Sequence, residues 1–341
     1  MGFVHKPNLC PTCECKKIQG PCQQTRQNRS PWWFWRCSFW SCQTRLPFLN
    51  NSAFVGLRLQ PKTLVQLILH YASSSLTKVV TRDDLVQAVN VGWQQGQHFL
   101  DVLTTQEAEA GELFCKTAVL SRSIECDATG LGRYYVKRTN LLMADQIQQL
   151  EDKKKSQCKA YPCHIRLLGL HERGGAFVAA FLRPRVALPK SRPPVEVWDE
   201  IRSSGLLDRV SHRGKRALYS DGARAWMTAG KHLGIKCYQV SHQRKEFCRS
   251  LSEVDPKLSK KAGTQVIDRK WKALKDFLPS NYHRKINGPH GSQVNPRMRQ
   301  RVFQFCWRNS LKWPSPAQFL KQLAKLQGKN CSGVSFQGAE K

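Results

Sequence analysis

Acidic side chains are scarce in this chain. Only 24 Asp and Glu stand against 55 Lys and Arg, so the formal net charge is +31 and the isoelectric point lies near 10.0. A surplus of that size repels itself in the compact state and requires a polyanionic partner or heavy counterion shielding, nucleic acid being the first candidate. Long apolar runs are missing too. None approaches the roughly 18 residues of a spanning helix, which leaves a membrane surface as the weaker partner. Met1-Gly2 is followed by Lys6 where a myristoylation signal carries Ser or Thr, and no apolar signal-peptide core is present. The expectation is an intracellular protein without a membrane partner, nuclear if the source is eukaryotic.

What is there begins with cysteine. Six of the 14 cysteines crowd the first 42 residues, and the others, such as Cys237 and Cys306, are scattered in the manner of small core residues. Cys10-Pro-Thr-Cys13, a polar loop, the aromatic run Pro31–Cys37 and then Cys42 have the layout of a zinc ribbon, two knuckles bracketing a hairpin. Zinc takes four thiolate or imidazole ligands in a tetrahedron, so Cys10, Cys13, Cys37 and Cys42 are the expected structural Zn²⁺ ligands, with Cys15 and Cys22 as competitors. The expected ribbon spans residues 1–50.

Residues 58–115 read as helical. Leu64, Leu67, Ile68 and Tyr71 recur at i, i+3, i+4 and i+7, and Thr81-Arg-Asp-Asp84 opens a second helix with an N-cap threonine and an acidic first turn. Asn90-Val-Gly92 then forms the turn of a helix-turn-helix-like DNA-binding segment, the alternative being a plain helical linker.

From residue 120 to 312 strands and helices alternate. Ser123–Asp127 reads as a short strand, Arg133–Lys137 as a separate element and Gln146–Lys155 as a charged helix or loop. His164–His171 and Ala176–Leu182 form a hairpin around Arg-Gly-Gly, and a proline-rich crossover leads to a helix at Val195–Gly205. Strands at Ala217–Ser220 and Ile235–Val240 flank the helix Ala223–Leu233, and a helix covers Val266–Leu278. That order predicts an α/β, ribonuclease H-like mixed sheet flanked by helices.

Fold alone carries no chemistry. Two-metal phosphoryl transfer needs carboxylates that hold two divalent ions about 4 Å apart. Asp127 and Asp221 each end an apolar strand in the sequence pattern, and the predicted fold sets those strands side by side. Taken singly, Asp127 also suits a turn and Asp221 a helix N-cap. Asp268 is the third candidate acid, with the alternative that it merely complements the positive end of its helix. Arg269, Lys272 and Lys275 follow on the same helix, where they suit DNA phosphates. Residues 313–341 form a basic tail, and the stretch from Arg299 to Lys321, including Trp307, reads as a basic amphipathic helix and extension suited to phosphate contact and base stacking, or as a solvated face.

At these residues the chain resembles a family. Ile-Glu-Cys-Asp127-Ala-Thr-Gly-Leu-Gly, Leu-Gly-Leu-His-Glu-Arg-Gly-Gly175, Tyr-Ser-Asp221-Gly-Ala-Arg-Ala-Trp226, Val-Ser-His242 and Asp268-Arg-Lys-Trp271 look like the Merlin-type DDE transposases and their bacterial insertion-sequence relatives. The resemblance runs from the ribbon to about Trp307. It implies a Mg²⁺- or Mn²⁺-dependent nuclease and strand transferase that acts at terminal inverted repeats, with transposon ends and target DNA as partners and a homo-oligomeric synaptic complex. Asp127 and Asp221 match the first two family aspartates, and His242 matches a family histidine that could contact the scissile phosphate, the alternative being a hydrogen-bonded structural residue after a strand. Two positions depart. Ala128 stands where the family commonly has Glu, and Gln265 with Asp268 replaces an Asn with a Glu, shortening the third carboxylate's reach by one methylene. The rival expectations are a domesticated, catalytically inactive DNA-binding derivative and, less favoured, a ribonuclease or Holliday-type nuclease on the same fold.

Overall fold

The computed structural model describes residues 6–26, 29–49, 52, 54–57, 59–75, 79–154, 157–211, 217–240, 248–250, 261–278, 294–310, 317–322 and 324. His242 and Lys312 lie outside them. The chain divides into two compact units, Met1–Glu107 with Lys312–Lys341, and Ala108–Leu311. Among the described residues no helix is long and apolar enough to cross a membrane.

In the first unit, β1 (Ile18–Arg26), β2 (Arg29–Cys37) and β3 (Arg45–Pro47) form an antiparallel sheet in the order β1-β2-β3. Trp35 is buried in it, stacks on Phe48 at 5.8 Å and donates its indole N–H to the Phe48 carbonyl at 2.9 Å. The helices follow as α1 (Pro61–Ser75), α2 (Arg82–Val89) and α3 (Trp93–Thr117), the last continuing past the boundary between units. Leu64, Leu67, Ile68 and Tyr71 are all buried, as their spacing predicts. Thr81 caps α2 reciprocally with Asp84, and Asn90 ends it in the left-handed conformation at φ 52°. Phe54 stacks on Phe99 at 5.3 Å, and Tyr71 meets Phe99 edge-on and donates its hydroxyl to buried Glu107 at 2.9 Å.

The second unit is a mixed sheet with helices. Its elements are β4 (Ile124–Lys137), α4 (Ala144–Lys154), β5 (Ala160–Glu172), β6 (Phe177–Phe181), β7 (Arg185–Val186), α5 (Trp198–Ser203), β8 (Ala217–Ser220), α6 (Arg224–Leu233), β9 (Lys236–Gln239), β10 (Cys248–Ser250), β11 (Lys261–Gly263), α7 (Gln265–Phe277) and α8 (Pro296–Ser310). The main sheet runs β6-β5-β4-β8-β9, with β7 pairing β5. β4, β5 and β6 are an antiparallel meander, and β8 and β9 add in parallel on the other side of β4. Helix α6 packs on β8 and β9, α7 on β4 and β5, and α8 on β6 and α7.

Three local expectations are corrected here. The strand expected at Ser123–Asp127 and the separate element at Arg133–Lys137 belong to one 14-residue strand, β4, which starts at Ile124 and is paired with β5 along its length. The Thr-Gly-Leu-Gly stretch resembles a turn locally, but cross-strand pairing carries the chain through it with a single bulge between Gly130 and Gly132. Asp127 therefore sits inside a strand rather than at its end. Helix α5 is shorter than the predicted Val195–Gly205 because its first turn starts only at Trp198, after Pro193-Pro194. Trp307 is not a stacking side chain on a solvated tail, since it lies in the core at the inner face of α8 with Val302, Phe303 and Cys306. A helix reads as basic when its polar face is counted and as core when its apolar face finds a sheet, and here both hold.

Candidate metal centres and acidic site

The first centre is the cysteine cluster. Cys10, Cys13, Cys37 and Cys42 bring their sulfurs within 4.8 Å of one another. Cys10 and Cys42 are 3.6 Å apart, as are Cys13 and Cys37. Four thiolates about 2.3 Å from one tetrahedral ion lie roughly 3.8 Å from each other, so the set fits a metal such as Zn²⁺. Cys15 and Cys22 are not in the cluster; the Cys15 sulfur instead accepts the Lys17 amide at 3.3 Å. The thiols already divide their protons unequally. Burial opposes ionisation of Cys10, but the amides of Thr12 and Cys13 and the Cys42 thiol outweigh it and bring the group down to about 6. An amide at Cys15 favours the Cys13 thiolate, yet burial and the three neighbouring thiols push it up to about 12.

The second site is acidic and begins on β4. The parallel register pairs Ile124 with Leu218 and Glu125 with Tyr219; Asp127 follows two residues later on β4, Asp221 lies one residue past the end of β8, and the Asp221 charge acts on Asp127. Antiparallel pairing on the other side sets Asp127 opposite Gly169. That glycine is needed there: a Cβ on it would come within 2.4 Å of the Trp271 ring, which lies over the strand. From this position the Trp271 indole N–H donates to Asp127 Oδ2 at 2.8 Å. One turn earlier on α7, Asp268 accepts from the Thr264 hydroxyl at 3.2 Å.

Two further carboxylates complete the group, and neither is evident from sequence pattern. Glu196 follows the proline-rich crossover, is buried, and accepts the Trp226 indole N–H at 2.8 Å. Glu125, fully buried two residues before Asp127, accepts the amides of Val266 and Ile267 at 2.8 and 2.9 Å in the first turn of α7. Its other oxygen faces Arg173 Nε at 3.2 Å. The one local signal that could have found Glu125 is a charged residue between Ile124 and Cys126 in the buried start of β4, because a buried carboxylate requires partners. Glu196 had no local signal beyond its charge.

The electrostatics follow from this crowding. Burial pushes the Asp127 carboxyl well above the usual carboxylate range, and repulsion from Asp221, Glu196 and Asp268 adds to it against the Trp271 hydrogen bond. Burial likewise raises Glu196, with Asp221 adding to the shift and the Trp226 bond opposing it. Glu125 is raised by burial despite its two helix amides and Arg173. Asp127, Asp221 and Asp268 are thus brought into one electrostatic neighbourhood, although among the described residues only the cysteines form a group of three or more ligands closed to within 4.8 Å. Arg269, Lys272 and Lys275 stand on the exposed side of α7, away from the buried Ile267, Trp271 and Leu274.

Neither the protein-family models nor the curated proteins searched contain a match to this chain.

Proposed function

We propose that the chain is a DDE-type DNA transposase whose second unit is a ribonuclease H-like domain that cleaves and joins DNA with divalent cations. The observation that carries this reading is that Asp127 on β4 and Asp221, just past the end of the parallel neighbour β8, share one electrostatic field with Glu196 and Asp268. A meander of three antiparallel strands followed by two parallel ones on the far side of the first is the strand order that reading requires. The donor set fits hard cations, since it is made of carboxylates, and burial together with repulsion from its acidic neighbours holds Asp127 back from ionising. A bound pair of Mg²⁺ or Mn²⁺ ions would activate the attacking oxygen and stabilise the leaving one.

Each residue then has a distinct task. Asp127 and Asp221 would hold the cations from adjacent strands, and Asp268 would add a ligand from α7. Trp271 orients Asp127 by engaging one of its two oxygens. The exposed Arg269, Lys272 and Lys275 would take the phosphate backbone along the outer side of α7. The cysteine ribbon and the α2–α3 turn would bind the transposon ends.

The inactive DNA-binding derivative is the second reading, favoured by the short third carboxylate, which is tied to Thr264. One experiment separates the two. DNA carrying the sequences that flank the protein's own gene is incubated with wild type, Asp127→Asn and Asp221→Asn in Mg²⁺ or Mn²⁺, and Mn²⁺ binding is measured by calorimetry. Cleavage and cation binding by the wild type, both lost in the variants, support the transposase. Equal cleavage by all three rejects the assigned site, and cation-independent DNA binding without cleavage in any supports the derivative.

A further inference from the structure

The knuckle between Cys37 and Cys42 carries two aromatic rings into solvent. Trp40 is 82% exposed and Phe39 37%, with ring centroids 6.3 Å apart and tilted by 47°. Within the same small sheet Phe34 and Trp35 are buried, and Phe48 stacks on Trp35. The turn beneath the two rings is held by its backbone. Cys42 and Gln43 donate their amides to the Phe39 carbonyl at 3.0 and 3.2 Å, and Ser38 donates both amide and hydroxyl to the Lys17 carbonyl at 2.8 Å. A large apolar ring displayed on a fixed turn costs little further ordering when it binds.

The charge around the tip selects the ligand. Residues 1–48 carry seven lysines and arginines and a single acid, Glu14. Lys16, Lys17 and Arg36 are exposed on the segments that lead to and support the turn, and the Arg36 guanidinium donates to the neutral Gln43 side chain, with no carboxylate partner seen among the described residues. Two rings offer far less apolar area than the roughly 800 Å² each partner contributes to a stable protein interface. They match the face of one base, and exposed cations on the segments next to the turn match its phosphates. In a duplex those base faces are already stacked on neighbours.

We propose that Trp40, supported by Phe39, is a stacking site for an unpaired nucleotide of single-stranded DNA, with Lys17 and Arg36 holding the flanking phosphates. The proposal rests on the nucleic-acid reading of the basic chain but not on cleavage, so it stands or falls independently of Asp127 and Asp221.

The test is fluorescence anisotropy of the full chain with a labelled 12-nucleotide strand, the corresponding blunt duplex, and the same strand made abasic, all without Mg²⁺ or Mn²⁺. Trp40→Ala should weaken binding of the normal strand roughly 5- to 100-fold, the scale of one base–aromatic stack. Trp40→Phe should recover most of that loss, and binding of the abasic strand should not change. Zinc content equal to wild type shows that the knuckle is intact. Equal binding of the normal strand by Trp40→Ala and wild type would overturn the proposal and point to a protein partner instead. An equal loss on normal and abasic strands would also overturn it, since the ring would then act through something other than a base.

Discussion

Replacing Asp127 by Asn should make the second unit more stable. Burial raises the Asp127 carboxyl, and Asp221, Glu196 and Asp268 add to the shift, so near neutral pH the folded unit holds a proton that the unfolded chain releases. Each pH unit between the unfolded and the raised folded value costs about 1.4 kcal/mol of stability. Asn has no such proton to hold and keeps a carbonyl oxygen to accept the Trp271 indole N–H that now binds Asp127 Oδ2. The gain should be about 1–3 kcal/mol near neutral pH. For a unit of this size that corresponds to a rise in Tm of roughly 2–10 °C. The pH dependence has a definite sign. In the unfolded chain an Asp ionises near pH 4, whereas burial and its acidic neighbours keep folded Asp127 protonated to higher pH. The wild type therefore loses stability as pH rises from about 4 towards the raised folded value, and the Asn variant lacks that loss. Urea and thermal denaturation between pH 4 and 8, without divalent cations, would measure both effects, with Asp276→Asn on the exposed side of α7 as the control. An Asp127→Asn protein that is less stable than wild type at pH 7, with an unchanged pH profile, would refute the crowded-carboxylate account. Adding Mn²⁺ should then stabilise the wild type and leave the variant unmoved.

Glu125→Ala should destabilise the second unit by about 3–5 kcal/mol in urea, because it removes the buried acceptor of the first-turn amides of α7 together with the carboxylate that faces Arg173; Glu125→Gln, which still offers an acceptor, should cost clearly less. Gly169→Ala forces the Trp271 ring from over the strand and should cost about 1–3 kcal/mol with a shifted tryptophan emission, whereas an unshifted spectrum would show that the ring does not lie there. Purified protein should carry one zinc ion per chain by elemental analysis, and chelation or Cys37→Ser should abolish the near-ultraviolet signal of the buried Trp35.

Much of the local structure was legible in the sequence because its causes are local. The i, i+3, i+4, i+7 spacing of Leu64 to Tyr71, the Thr81–Asp84 cap and the apolar run before Asp221 each act within one or two turns of chain, and each element stands where expected. The cysteine pairs were likewise readable, since metal-ligand spacing selects Cys10, Cys13, Cys37 and Cys42, although only folding removed Cys15 and Cys22 as competitors. Gly130 to Gly132 misled for the same reason, as a local turn signal cannot anticipate a 13-residue partner strand.

Asp127 and Asp221 were singled out by their place after apolar residues, and that much belongs to the sequence alone, as does the basic excess that suggests a nucleic-acid partner. What surrounds them does not. Glu196 comes from beyond a crossover, Glu125 ties α7 to β4, and Trp271 reaches Asp127 across 144 residues only because Gly169 leaves room for the ring. Sheet pairing and helix packing bring distant residues together, and the charge on Asp127 depends on which carboxylates arrive. The residue types were written in the chain, but their electrostatic coupling was decided by tertiary structure.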